Sequence, residues 1–147
     1  MNKMEAENRG RIDDQLFLQI IERSRRAPAV QSLGIRIIYL DKGIAGMTMS
    51  VQEKFANARG VLHGGILAAF ADTSMGYAIQ TLGLRSTTVD MNINYIAPVG
   101  KDIDSIRAEG QVLHVGKTSI VAESALLTED DKIIAKSRGT FFIISVS

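Results

Sequence analysis

The stretch Asn57–Tyr77, NARGVLHGGILAAFADTSMGY, decides how this chain is read. After the Gly64-Gly65 pair it runs apolar on nearly every side, rich in Ala and Gly, as far as about Gln80. A helix of that composition belongs in an interior, because it has no polar face to turn to water. It carries a single acid, Asp72. A helix opening on Gly64-Gly65 leaves backbone N–H groups free to meet an electron-rich oxygen. A carboxylate about two turns further on can supply acid–base or nucleophilic chemistry. The combination points to acyl transfer.

Outward from this helix the pattern is mostly β. Residues 1 to about 12 read as a frayed polar tail. From Asp13 or Asp14, the residues Leu16, Leu18, Ile20 and Ile21 predict an amphipathic helix with an acidic first turn, closing on Arg23, Arg25 and Arg26 before Pro28. Gly34 opens two strands, Ile35–Leu40 and Ile44–Val51, joined by a tight turn at Asp41-Lys42-Gly43. In the second, Ala45, Met47, Met49 and Val51 share a face opposite Thr48 and Ser50. Beyond the central helix, Thr88–Ile96 alternates Val89, Met91, Ile93 and Tyr95 against Thr88, Asp90, Asn92 and Asn94. Ile103–Val115, Thr118–Leu127 and Ile133–Val146 follow, with turns at Gly116-Lys117 and Asp130-Asp131. The order predicts an α+β chain in which an antiparallel sheet wraps one helix, preceded by an extra N-terminal helix. Residues 13–147 read as a single domain.

Bulk properties agree with that size and narrow the function. A chain of 147 residues is one domain's worth. With 46% hydrophobic and 22% charged residues it has the composition of a soluble globular protein. Lys and Arg number 17 against 16 Asp and Glu, so no strong attraction to nucleic acid or an anionic membrane is expected. The absence of cysteine excludes a disulfide scaffold, a Cys nucleophile and thiolate metal sites. The opening MNKMEAENRGRIDD lacks the apolar core of a signal peptide. The longest apolar run, Val61 to Leu82, is broken by His63, Asp72 and glycines and is too polar to span a bilayer. The expectation is a cytoplasmic protein.

Each candidate residue has two readings. Asp72 inside an apolar helix must be paired, neutralised or placed at a cavity or subunit junction, as either a structural anchor or a catalytic acid. His63 is a hydrogen-bonding post at the helix start or a proton carrier. Gly64-Gly65 permits close packing, or offers its N–H groups to a carbonyl oxygen. Asn57 closes an Asx-type turn, or its amide holds a water or an acyl carbonyl. Three other signals fail on spacing or context. GQVLHVGKT at 110–118 has five residues between its glycines where a phosphate loop needs four, and no helix follows it. His63 and His114, the only histidines, sit in no metal-ligand cluster. Ser74 and Ser119 lack the strand–turn–helix setting of a hydrolase nucleophile.

With these residues in hand, the chain resembles the hotdog-fold acyl-CoA thioesterases of the phenylacetate-pathway, PaaI-like type. The resemblance rests on Asn57…Gly60-Val61-Leu62-His63-Gly64-Gly65, on Ala71-Asp72, and on Thr87 to Tyr95 with Pro98. It continues through His114 to Thr118 and Ala135 to Phe141. It implies a long central helix wrapped by the sheet, and a dimer that often pairs into a tetramer. The active site would lie at the dimer junction, with Asp72 from one subunit and Asn57, His63 and the Gly64 N–H from the other. Gly64 would polarise the thioester carbonyl, with Gly65 beside it. Asp72 would attack it or activate water, Asn57 would orient water or acyl group, and His63 would brace the loop. Thr88 would assist near the acid, and Lys117 would meet CoA phosphates or remain a solvated turn lysine. No metal or cofactor is implied beyond the CoA of the substrate. A hotdog hydratase needs a second placed histidine, which this chain lacks. A non-catalytic acyl-CoA sensor is the reading from another class; its DNA-binding module would not fit in the roughly 30-residue, weakly basic segment ahead of the sheet.

Overall fold

The computed structural model describes residues 5–146. Helix α1, Asp14–Arg26, is capped by Asp13, whose carboxylate accepts from the N–H groups of Gln15 (3.0 Å) and Leu16 (3.2 Å). Ile20 and Ile21 turn into the core, but Leu18 is 64% exposed. Two residues on from Leu16 is about 200° around a helix, so Leu18 falls on the outer face and does not join the expected stripe. Pro28 does more than end α1. It occupies the first turn of a second short helix, α2 (Pro28–Leu33), where its missing N–H costs nothing. Gly34 ends α2 in the left-handed conformation, at φ 68°.

Residues 7–12 depart from the expected frayed tail. Strand β1 (Glu7–Asn8) pairs in parallel with Tyr39 and Leu40 of β2 (Ile35–Asp41). Ile12 is buried. Arg11 forks onto Asp41, with Nε 2.9 Å from one carboxylate oxygen and Nη2 2.7 Å from the other. That hydrogen-bonded pair raises the Arg11 pKa and holds the Asp41 carboxyl below its ordinary range. The partner lies 30 residues away, so no local pattern in the tail announces it. Residues 1–4 of the expected tail lie outside the described residues.

Strand β3 (Ile44–Ser50) returns from β2 through the Asp41–Gly43 turn. Its Ala45, Met47 and Met49 are fully buried, as the alternation predicts. After helix α3 (Gly64–Gln80) come β4 (Leu84–Tyr95), β5 (Ser105–Val115), β6 (Ser119–Thr128) and β7 (Ile133–Val146). The seven strands form one sheet in the order β1-β2-β3-β5-β6-β7-β4. All neighbours are antiparallel except β1 and β2. Among the described residues no helix is long and apolar enough to cross a membrane.

Small residues let α3 lie against the sheet. A Cβ at Gly110 of β5 would collide with the carbonyl of Ser74 in mid-helix. Ser74 Oγ in turn meets Ser124 Oγ of β6 at 2.7 Å, and Ser124 is the register partner of Gly110. Above and below this contact, Leu67, Phe70, Met75 and Ala78 of the same helix fill the core. The helix is therefore not buried all round. Ala69, Asp72, Thr73, Gly76 and Gln80 form a half-exposed outer stripe.

Strand β4 begins at Leu84, four residues before the expected Thr88, and it is an edge strand among the described residues. Its pairing to β7 slips at Val89. Thr88 opposes Phe141 and Asp90 opposes Thr140, so Val89 is an extra residue in a β-bulge and is 62% exposed. Simple alternation would put Thr88 on the face opposite Met91 and Ile93. The inserted residue reverses the parity and turns Thr88 toward α3.

Candidate active site

The N-terminus of α3 is built from His63, Gly64 and Gly65. His63 is the N-cap, and its Nδ1 accepts from the Gly65 N–H at 2.8 Å. The Gly65 N–H is therefore already engaged within the chain. The Gly64 N–H meets no acceptor among the described residues, which leaves it as the open donor at this helix end. Tyr95 closes over the same point. Its hydroxyl donates to the Gly64 carbonyl at 2.8 Å, and its ring would stand 3.2 Å from a Cβ at position 64. Glycine is needed there for that close approach.

The loop before the helix is tightly pinned. Asn57 Oδ1 accepts from the N–H groups of Arg59 (2.9 Å) and Val61 (3.3 Å), and the Asn57 N–H donates to the Val61 carbonyl at 2.7 Å. The Asx-turn reading of Asn57 is thus realised. Its Nδ2 finds no acceptor among the described residues and stays available to a ligand. His63 N–H donates to the Phe55 carbonyl and Leu62 N–H to that of Val99, fixing the entry of the chain into α3.

Asp72 sits on the half-exposed stripe, not in the interior. Thr88 Oγ1 donates to its Oδ1 at 2.7 Å, leaving Oδ2 without a donor among the described residues. Asp72 and the Gly64 N–H are eight residues apart on one helix, about 12 Å along the axis. The structure brings Asp72 to Thr88, and brings Asn57, His63 and Gly64 together with Tyr95. It does not bring these two groups to a common point within one chain. Lys117 is exposed on the β5–β6 turn. His114 lies near that turn while His63 lies near Phe55 and Tyr95, at the other end of the long strands. Among the described residues no three His, Cys, Asp or Glu side chains converge as a metal site requires.

An open cleft of about 340 Å³ starts at Asp72 and Thr88 and follows the outer stripe through Thr73, Gly76 and Gln80. Its walls come from Val30 of α2, Tyr77, Arg85 to Thr87 and Phe141. The hydroxyl of Tyr77 is shifted up by burial and stays protonated at neutral pH. Sequence reasoning missed Gly76, Gln80 and Arg85. The first two sit in a run that reads as wholly interior, and Arg85 precedes the predicted start of its strand. Tyr95 was read only as an alternating strand residue.

These features define a class. The sequence pattern of the thioesterase superfamily matches residues 59–135, and the chain belongs to that superfamily. It is a hotdog-fold thioester hydrolase of the PaaI-like kind. Acyl-coenzyme A thioesterase PaaI of Escherichia coli is 35% identical over 109 residues, spanning 74% of this chain and 77% of that protein. The solved structure of E. coli PaaI superposes with a TM-score of 0.85 at 27% identity, covering 92% and 98% of the two chains. The 1,4-dihydroxy-2-naphthoyl-CoA hydrolase of Listeria monocytogenes is 28% identical, over 77% of this chain and 93% of its own. A Streptococcus pneumoniae thioesterase protein solved with coenzyme A matches at TM-score 0.72 and 25% identity, over 76% and 90%.

Proposed function

We propose that this chain hydrolyses acyl-CoA thioesters to a carboxylic acid and free CoA, at a site completed by a second copy of itself. One observation carries the reading: the open N–H at Gly64 and the carboxylate of Asp72, a donor and an acid of the kinds thioester hydrolysis uses, stand about 12 Å apart on one helix. Both halves are tied to β4, Gly64 through Tyr95 and Asp72 through Thr88. That strand is 12 residues long and has one edge free among the described residues, a ready template for pairing with another chain. A two-fold axis centred near Met91 or Asn92 would pair two β4 edges antiparallel. It brings Thr88 within a residue of the partner subunit's Tyr95. Both central helices then lie on the same face of a continuous sheet, with Asp72 of one opposite the partner subunit's Gly64.

In that arrangement the Gly64 N–H, reinforced by the positive end of the helix, takes up charge as it develops on the thioester oxygen. Asp72 Oδ2 attacks the carbonyl carbon or removes a proton from an attacking water; Thr88 holds Oδ1 and fixes the orientation. A carbon–oxygen bond forms, the carbon–sulfur bond breaks, and the CoA thiolate leaves and takes up a proton; on the direct-attack route water then cleaves the mixed anhydride on Asp72, releasing the acid and restoring the carboxylate. The Asn57 amide Nδ2 orients the water or the acyl oxygen, and His63 holds the helix entry in place. Lys117, exposed on the β5–β6 turn, is offered to the CoA phosphates. The scheme needs no metal and no cofactor beyond the CoA of the substrate.

The test is thiol release from a panel of acyl-CoA substrates by the wild type and by Asp72→Asn. A fall of about 10²-fold or more in kcat is expected for the variant, the scale of losing a general base. Equal rates in both proteins would remove Asp72 from the chemistry. Binding of CoA with no turnover of any thioester would favour the sensor reading.

A further inference from the structure

The cleft beyond Asp72 has a polarity that an ordinary fatty-acyl pocket does not need. Of its lining residues only Val30, Tyr77, Gly76 and Phe141 present mainly apolar surface; the others are Thr73, Gln80, Arg85, Ser86, Thr87, Thr88 and Asp72 itself. Polar groups are not spread evenly along it. Hydrogen-bond donors gather at the far end. Arg85 makes no ion pair among the described residues. Gln80 has its Oε1 buried without a donor, which leaves Nε2 as the atom able to meet a ligand. Asp72 is the only acid in the lining, and it stands at the opposite end.

The floor of the cleft is left open at its midpoint. Gly76 lies one turn beyond Asp72, and a Cβ there would touch nothing within 4 Å. From Asp72 to Gln80 is eight residues, about 12 Å of helix axis; an extended eight-carbon chain spans about 9 Å, and a hydrogen bond at its far end adds about 3 Å. A thioester carbonyl placed at Asp72 therefore puts the end of such a chain beside Gln80 and Arg85.

We infer that this cleft holds the acyl group and selects one whose far end is a carboxylate: the mono-CoA thioester of a medium-length dicarboxylic acid. The inference rests on the acyl-CoA hydrolase reading above. Arg85 and Gln80 Nε2 meet the terminal carboxylate, and the distance from Asp72 keeps the two negative charges apart. An alkyl terminus would forgo the charge-assisted contact that Arg85 makes with a carboxylate.

Three thioesters of equal length separate the outcomes: octanoyl-CoA, 8-hydroxyoctanoyl-CoA and the mono-CoA thioester of octanedioic acid. The wild type is expected to favour the carboxylate-ended substrate over octanoyl-CoA by about 10-fold or more in kcat/KM, with the hydroxyl-ended one between them. In Arg85→Gln that ratio should fall toward one, and in Arg85→Glu it should drop below one. Gly76→Val should raise KM for all three by filling the floor. A wild-type preference for octanoyl-CoA, or for the hydroxyl-ended substrate, would overturn the inference. So would a ratio indifferent to Arg85→Glu. Hydrolysis of octanoyl-CoA with no such preference overturns the selectivity alone; failure to hydrolyse any thioester overturns the underlying reading as well.

Discussion

If the reacting groups come from two copies, two crippled chains should repair each other. The pair to mix is Gly64→Pro and Asp72→Asn. Gly64 is the first residue of α3, directly after the His63 cap, and proline suits that position because its φ already matches a helix. What it removes is the open N–H. Its Cβ comes to 3.2 Å from the Tyr95 ring, which must yield by a few tenths of an ångström. Loss of an oxyanion donor should cost about 10²–10³ in kcat, and Asp72→Asn about 10² or more. Each variant alone is then near 1% of wild type or below. Mixed at equal concentration through a denaturation and refolding cycle, random pairing makes half of the dimers mixed. Each mixed dimer holds one site with both groups intact and one with neither. The expected thiol-release activity is therefore about a quarter of wild type. If each chain carried its own complete site, the mixture could not exceed the mean of the two variants, about 1%. Differently tagged chains would establish that mixed dimers formed; activity of about 1% in their presence refutes the shared site.

Other outcomes follow from individual contacts. Thr88→Val should lower kcat by about 10-fold with little change in KM, since it frees Asp72 Oδ1 without altering the cleft's bulk. Gly110→Ala should be among the most damaging small substitutions in the chain. The added methyl has nowhere to go but the Ser74 backbone, so about 3 kcal/mol is expected, a fall in Tm of about 6–12 °C by calorimetry. The Arg11–Asp41 pair should make the N-terminal strap acid-sensitive. Asp41 titrates lower in the folded chain than in the unfolded one, so its contribution is present above the ordinary aspartate range. It is lost as pH falls through the depressed folded value. Hydrogen-exchange protection in residues 7–12, taken relative to the intrinsic rate at each pH, should fall over that acid window, and Arg11→Met should weaken the pH dependence.

Much of this was readable from residue order, for identifiable reasons. The β3 alternation Ala45, Met47, Met49 and the turns at Asp41–Gly43, Gly116-Lys117 and Asp130-Asp131 are local signals, and local signals survive folding. The Gly64 start of α3 was legible because His63 and two glycines have few other uses at such a place. The β1 strap was not, since its anchor is Asp41, far along the chain. Nor was the bulge at Val89. Period-two reading put Thr88 with Asp90 and Asn92, and only pairing to β7 shows that one inserted residue turns Thr88 to the acid. The apolar composition of α3 concealed its outer stripe, because Ala and Gly are as compatible with a cleft floor as with a core.

The spacing of Gly64 and Asp72 on a single helix also has a consequence for how activity scales with amount. If the site is shared as proposed, a single chain has no turnover of its own, and the active species forms in a second-order encounter. Specific activity should then fall on dilution below the dissociation constant of the pair, long before any chain unfolds. By mass action, substrate held across the junction should in turn tighten the pairing. In a cell, a modest drop in copy number would silence the enzyme more than proportionally, with every remaining chain still intact.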